Sequence, residues 1–148
     1  MIDGVHIKKL KYIKDERGRL MEVFRVDDLS FRKFGQAYVT TAKPGVVKAW
    51  HYHRLQDDNI ALITGRVRFG LYDARVGSKT FGEVMDLVAD EENPVLVHIP
   101  AGIYHGFKAM GDKETMVMNV PTEAYNHNAP DEFRVDPFEN DIPFDWAK

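Results

Sequence analysis

The sequence predicts an all-β fold: a jelly-roll β-barrel with short helices and an extended C-terminal tail. Short segments rich in β-branched and aromatic residues follow one another along the 148 residues, separated by turns rich in Gly, Pro and Asp. No long stretch has the period of a helix, so these segments are read as strands. Many short strands favour a closed barrel or jelly roll, which removes the unpaired edges of an open sheet.

Proline and glycine turns delimit the individual strands. Lys43-Pro44-Gly45 and Glu92-Asn93-Pro94 are turn sequences, because proline fixes φ while glycine and asparagine accept a positive φ. Short helices are predicted at residues 26–33 and near Asp90. The nine predicted strands are residues 21–24, 36–42, 46–51, 59–64, 66–73, 81–88, 95–99, 106–110 and 115–120.

The last segment, residues 121–148, differs from the rest of the chain. It carries four of the seven prolines and many Asn and Asp residues, yet it also contains three phenylalanines and a tryptophan that need an apolar surface. We therefore expect an extended tail that packs over the barrel. With no internal repeat and no linker, residues 1–148 are predicted to form one domain.

Composition excludes several classes of function. The net charge of -3 lacks the basic excess of a nucleic-acid-binding protein. The chain has no cysteine, which excludes disulfides, thiolate ligands and a cysteine nucleophile. The N-terminus does not resemble a signal peptide, and no segment approaches the roughly 20 apolar residues that span a bilayer. The expected location is the cytoplasm, with no membrane partner.

Histidines concentrate in two motifs that match those of the cupin barrels. The first is Gly45-x5-His51-Tyr52-His53-x4-Asp58-x6-Gly65, and the second is Pro100-Ala101-Gly102-Ile103-Tyr104-His105. His51 and His53 are two apart on one predicted strand, so both side chains face the barrel interior. The turn before His105 brings a third imidazole from another strand. Three imidazoles and the Asp58 carboxylate in one cavity form either a metal site or an acid-base site.

Beyond these motifs, the chain resembles the dTDP-4-dehydrorhamnose 3,5-epimerase family over nearly its whole length. Six segments carry the resemblance in the same order as in the family. They are Asp15-x-Arg17-Gly18-x-x-x-Glu22-x-Phe24, Phe34-x-Gln36, the segment from Gly45 to Tyr52, Ser78-x-Thr80-Phe81-Gly82, the segment from Ile99 to Phe107, and Val135-Asp136-Pro137 with Ile142 and Trp146.

The resemblance implies a cofactor-free epimerase or isomerase. Such an enzyme removes a proton beside the ketone of a nucleotide-linked 4-keto-6-deoxy sugar, with dTDP as the expected carrier. His51 stands at the position of the family's catalytic base, and Asp136 at that of the carboxylate that orients it. The binding residues implied for the nucleotide and diphosphate are Arg17, Glu22, Gln36, Lys48 and His53. The usual setting is polysaccharide or antibiotic sugar synthesis.

Four departures from the family pattern concern the site. Lys48 stands where the family has an arginine, and His53 stands where it has a glutamine. Asp58 or a neighbour replaces the family's lysine, and the tyrosine that acts as the acid is missing near residues 117–119. The candidates for the missing acid are Tyr104, Tyr38 and His105.

These departures keep two alternatives open. One is a metal-dependent cupin enzyme that binds Fe, Mn, Ni or Zn through His51, His53, Asp58 and His105. The other is a non-catalytic sugar-binding barrel.

The resemblance also implies a homodimer. Residues 1–25 would form an arm that exchanges strands with the partner, and Arg17 or Glu22 would complete the neighbouring site. Symmetric dimers are the commonest soluble oligomers, which agrees with this expectation.

Overall fold

The computed structural model describes all residues from 1 to 148, and it contains twelve strands and no helix. All strand pairs are antiparallel. The strands are β1 His6–Lys9, β2 Tyr12–Asp15, β3 Gly18–Met21, β4 Tyr38–Ala42, β5 Val47–Tyr52, β6 Asp58–Thr64, β7 Arg66–Asp73, β8 Val84–Asp90, β9 Val95–Ile99, β10 Ile103–Met110, β11 Thr115–Asn119 and β12 Phe133–Arg134.

Two five-stranded sheets carry the fold, in the orders β1-β9-β6-β11-β4 and β12-β5-β10-β7-β8. Strands β2 and β3 form a separate hairpin. Sixteen buried apolar residues fill the interior, among them Leu62, Phe69, Val97 and Phe107. The all-β jelly-roll prediction is confirmed, but the closed barrel is not. The two sheets are held together by this apolar packing, and no hydrogen-bonded ladder joins their edges.

The predicted strands at 66–73 and 95–99 agree with β7 and β9, and most others are displaced by one to three residues at an end. The predicted strand at 21–24 is wrong, because β3 already ends at Met21. Val23 and Phe24 instead pack against a small second core around Leu10 and Leu96. Strands β1, β2 and β12 were not predicted, since Lys, Asp and Arg interrupt their apolar pattern.

The two predicted helices are also wrong. Within residues 26–33, the carboxylate of Asp28 accepts a hydrogen bond from the Arg25 backbone N–H (2.8 Å) and contacts Lys8 Nζ (2.6 Å). These contacts fix turns in place of a helix. Val26 and Leu29 are exposed, so a helix here would have no apolar face to bury. In the second predicted helix, the Asp90 carboxylate accepts hydrogen bonds from the backbone N–H groups of Glu92 and Asn93, and these bonds stabilise a turn.

Both ends of the chain pack on its own sheets. Ile2 and Val5 are buried in the main core, and β1 pairs with β9 of the same chain. Trp146 is buried in the tail, and its ring centroid lies 5.0 Å from that of Trp50 on β5. Strand exchange by residues 1–25 stays a prediction. No helix of the length and apolar character needed to cross a membrane is present.

Candidate active site

A cavity of about 1170 Å³ lies between the two sheets and is partly covered by the C-terminal tail. This exceeds the roughly 300–1,000 Å³ of most small-molecule sites. Strands β4, β6 and β11 line one wall, and β5 and β10 line the other. The cavity is therefore large enough for an extended ligand.

A bulge in the β5–β10 pair sets which side chains face this cavity. His105 on β10 pairs with His51 on β5, and Phe107 pairs with Lys48. The two pairs are therefore two residues apart on β10 but three residues apart on β5. The extra residue on β5 allows both Lys48 and His51 to line the cavity. The strands approach closely here, since a Cβ on Gly106 would lie 2.1 Å from the Cβ of Ala49. Glycine at position 106 is required for this approach.

His51 is held by a carboxylate from the tail. Its Nδ1 lies 3.3 Å from Oε1 of Glu132, and Arg134 Nη2 donates to the same oxygen at 2.7 Å. The short strand β12 brings both residues here, because Arg134 pairs with His51 in the ladder. Burial, reinforced by the nearby His105, lowers the pKa of His51 to about 4, although Glu132 opposes this shift. His51 is therefore neutral at neutral pH.

Beside His51, two further imidazoles converge on one carboxylate. Oδ2 of Asp58 lies 2.9 Å from Nε2 of His105 and 3.3 Å from Nε2 of His53. Gln56 Nε2 donates to the other oxygen of Asp58 at 2.7 Å. Burial acts to raise the pKa of Asp58, but the two histidines outweigh it and hold that pKa well below its usual range. Asp58 is therefore an anion at neutral pH.

His53 and His105 each face oxygen atoms at both ring nitrogens. Nδ1 of His53 contacts the Asp131 carbonyl, and Nδ1 of His105 lies 3.1 Å from the Ile103 carbonyl. Each ring thus meets an oxygen acceptor at both nitrogens, and only an imidazolium donates from both. For His53, burial acts to lower the pKa, but the contacts with Asp58 and Asp131 raise it above its usual value. When both rings are protonated, the imidazole-carboxylate cluster of His53, Asp58 and His105 has a net charge of +1.

The same three side chains could hold a divalent metal, since their ligand atoms all lie within 4.8 Å of one another. Backbone carbonyls that fix the far nitrogens are also typical of metal-binding histidines. His51 does not join this group, because its Nδ1 faces Glu132 and its ring centroid lies 6.0 Å from that of His105. The predicted four-ligand set is therefore not assembled as a whole.

Comparison with known proteins places this fold and cavity in a family. The profile of dTDP-4-dehydrorhamnose 3,5-epimerase matches residues 1–148. The chain belongs to the dTDP-4-dehydrorhamnose 3,5-epimerase family. This membership confirms the resemblance stated above and the prediction of an isomerase that acts on carbohydrates.

Relatives of this epimerase family cover nearly the whole chain. The spore coat polysaccharide biosynthesis protein SpsL of Bacillus subtilis is 41% identical over 146 residues, which are 99% of this chain and 97% of the relative. A probable low-salt glycan biosynthesis epimerase, Agl13 of Haloferax volcanii, is 40% identical over 98% of this chain and 94% of its own. The crystal structure of a dTDP sugar isomerase from Desulfovibrio desulfuricans G20 has a TM-score of 0.92 at 30% identity, covering 99% and 92% of the two chains.

The epimerase cavity brings together most of the predicted site residues. His51, His53, His105, Gln36 and Lys48 all line it. Gln36 Oε1 accepts from the Tyr125 backbone N–H at 3.2 Å, and Lys48 Nζ donates to Thr40 Oγ1 at 3.0 Å. These two contacts attach the cavity wall to the tail and to β4.

Asp136 does not orient His51, contrary to the prediction. Its exposed carboxylate accepts hydrogen bonds from the backbone of Phe138 (2.8 Å) and Glu139 (2.9 Å), which stabilises a turn. No hydrogen bond or ion pair joins Asp136 to His51, whose carboxylate partner is Glu132. The tail reaches His51 four residues earlier than the family pattern implies.

Three other predicted residues lie outside the cavity of this chain. Tyr104 faces away from it, because it alternates with His105 on β10, and its ring lies 4.6 Å from that of Tyr52. The structure of this chain does not bring Tyr104 to the cavity, and its catalytic role stays a prediction. Arg17 pairs with Asp15 on the β2–β3 hairpin, and Glu22 pairs with Arg25. Their predicted role in a neighbouring site stays a prediction.

Sequence reasoning missed Glu132 and Arg134, which complete the surroundings of His51. The alternation of Glu132, Phe133, Arg134 and Val135 is that of a short strand, and this signal could have indicated β12. No local pattern, however, shows that such a strand pairs with β5. It also missed that Asn119 contacts the Tyr38 hydroxyl (2.9 Å).

Proposed function

We propose that this chain is an epimerase of a nucleotide-linked 4-keto-6-deoxy sugar, with His51 as the base that removes a proton beside the ketone. The observation that carries the proposal is the neutral, partly buried His51, which contacts Glu132 in a cavity large enough for a nucleotide sugar. The family supports the substrate class, since 4-dehydrorhamnose is itself a 4-keto-6-deoxy sugar. The expected carrier is dTDP, and the expected pathway is polysaccharide synthesis, as in the Bacillus relative.

The chemistry requires a neutral imidazole with one defined free nitrogen. A ketone at C4 acidifies the protons on C3 and C5, and a positioned base can take one of them. When Nδ1–H of His51 donates to Glu132, Nε2 is left with its lone pair as the base. The Glu132 carboxylate also stabilises the imidazolium that forms once the proton is taken.

Removal of the proton leaves a negative charge on the ketone oxygen as an enolate. The imidazole-carboxylate cluster supports stabilisation of this charge, because it is buried next to His51 and is positive when both of its rings are protonated. Of the two histidines in the cluster, His105 is the one that pairs directly with His51 between β10 and β5. We assign His105 to the enolate and His53 to holding the cluster together.

The diphosphate needs basic groups along the cavity. Lys48 and Arg134 line it and carry the charge that phosphate oxygens require. Gln36 lies on the same wall as a hydrogen-bonding group for the nucleotide. Arg17 and Glu22 would act across a homodimer interface. The dimer and the cytoplasmic location stay predictions.

Proton exchange tests the proposal directly. The protein is incubated with dTDP-4-keto-6-deoxyglucose in deuterated water, and NMR follows deuterium at C3 and C5 and the appearance of an epimer. Wild type should incorporate deuterium at one or both carbons, and His51→Asn should abolish it. His6→Asn is the matched control, because His6 is exposed on β1, outside the cavity. Unchanged exchange in His51→Asn, or none in wild type, would contradict the proposal.

The proposed reaction needs no cofactor. Elemental analysis of protein purified without added metal measures the number of metal ions per chain. The proposal expects activity to persist after dialysis against a chelator. One transition-metal ion per chain, with activity lost on its removal, would favour the metal-dependent alternative at His53, Asp58 and His105.

A further inference from the structure

Tyr38 faces the cavity from the sheet opposite to that of His51. Tyr38 is the first residue of β4, at the edge of one sheet, and His51 lies on β5 of the other. Both side chains line the cavity between the sheets. A sugar bound there lies between an imidazole on one side and a phenol on the other.

A buried amide holds the Tyr38 hydroxyl. Asn119 is its direct partner in the β11–β4 ladder, and Asn119 Nδ2 lies 2.9 Å from the phenol oxygen. The orientation of this amide is fixed, because Asn119 Oδ1 accepts the Asn59 backbone N–H at 3.0 Å. Asn59 is in turn held by its own amide, which donates to the Val120 carbonyl at 2.8 Å. The amide nitrogen of Asn119 must therefore be the group that points at Tyr38.

This arrangement leaves the Tyr38 proton available. The phenol oxygen accepts from Asn119, so its own hydrogen is free to be donated into the cavity. Burial, together with the charge of Asp58, raises the pKa of Tyr38, although the Asn119 hydrogen bond acts in the opposite direction. The phenol therefore keeps its proton at neutral pH, as an acid must.

We propose that Tyr38 is the general acid that protonates the enolate on the face opposite to His51, and that Asn119 is the residue that positions it. This inference rests on the proposed epimerase function. His51 takes the C–H proton and the electron pair moves to the ketone oxygen. The enolate then reforms the ketone as its carbon takes the Tyr38 proton from the other side. The phenolate and imidazolium that remain are reset by proton exchange with solvent, so no further reactant is needed.

The test separates exchange from inversion. With dTDP-4-keto-6-deoxyglucose in deuterated water, Tyr38→Phe should still incorporate deuterium, because His51 can return an exchanged proton on its own face. Formation of the epimer should fall by about 10²–10⁴-fold, which is the usual contribution of a positioned acid. Tyr72→Phe is the matched control, since Tyr72 lies on β7 outside the cavity and its hydroxyl makes no hydrogen bond. It should invert at the wild-type rate.

Asn119→Asp tests the positioning role. A carboxylate can still accept the Asn59 N–H, but its other oxygen would take the Tyr38 hydrogen and turn it away from the cavity. Exchange should persist and inversion should fall, while the melting temperature confirms that the variant folds. Inversion by Tyr38→Phe within about twofold of wild type overturns the inference and leaves the epimerase intact. Absence of both exchange and inversion in wild type overturns the proposed function itself.

Discussion

The low pKa of His51 makes a quantitative prediction about acid stability. Its pKa of about 4 in the folded state lies below the ordinary histidine value of 6.5. Between these two values the unfolded chain binds a proton that the folded chain does not, so stability falls as the pH decreases through this window. The contribution of His51 to the free energy of unfolding falls by about 1.4 kcal/mol per pH unit once the pH is well below 6.5. Between pH 7 and pH 5 this loss amounts to about 2 kcal/mol.

His51→Asn isolates this contribution, because it removes the titrating group and leaves the rest of the chain unchanged. Other groups titrate in both proteins. The raised pKa of His53 gives stability that is fully present below pH 6.5 and is lost only as the pH rises above it, and Asp58 loses its own contribution only at lower pH. Urea unfolding at pH 7 and pH 5 should show that wild type loses about 2 kcal/mol more than the variant. NMR titration of the His51 ring should give a pKa near 4. Equal losses in both proteins, or titration near 6.5, would refute this reasoning.

Two other predictions concern the carboxylates of the site. Glu132→Gln should lower the rate of deuterium exchange by about 10²-fold, since the base loses the charge that supports it, while Asp136→Asn should cost less than about threefold because it only caps a turn. The opposite order would restore Asp136 as the partner of His51. Asp58→Asn should lower the free energy of unfolding by about 3–5 kcal/mol at pH 7, measured by urea denaturation, because two buried imidazoles lose their counter-ion. A loss below about 1 kcal/mol would argue against a charged cluster.

The parts of the fold that the sequence predicted share one property: their strands are bounded by turns and carry a continuous apolar pattern. Strands β7 and β9 have both, and they were located to the residue. Strands β1 and β12 lack the continuous apolar pattern. They lie at sheet edges and form by pairing with a neighbour that is distant in sequence. Their pairing depends on tertiary contacts that no local pattern contains.

The same distinction holds within the site. Alternation along one strand predicted that His51 and His53 share the cavity, and the turn before His105 predicted the third imidazole. The Glu132 contact spans 81 positions of sequence and depends on where the tail crosses β5. A family position such as Asp136 indicates that an acid lies near the base, but a displacement of four residues in the extended tail changes which acid it is.

The family pattern predicts a lysine at or near position 58, so an aspartate there would remove a positive charge beside the base. Asp58, however, lies against two imidazoles, and each of these rings faces an oxygen acceptor at both nitrogens. When both rings are protonated, the cluster as a whole has a charge of +1. The Gln to His53 departure supplies one of these two imidazoles. A protonated cluster would therefore offset the loss of the lysine. Burial, reinforced by the nearby His105, keeps His51 neutral, and the positive charge of the cluster would lie where an enolate forms.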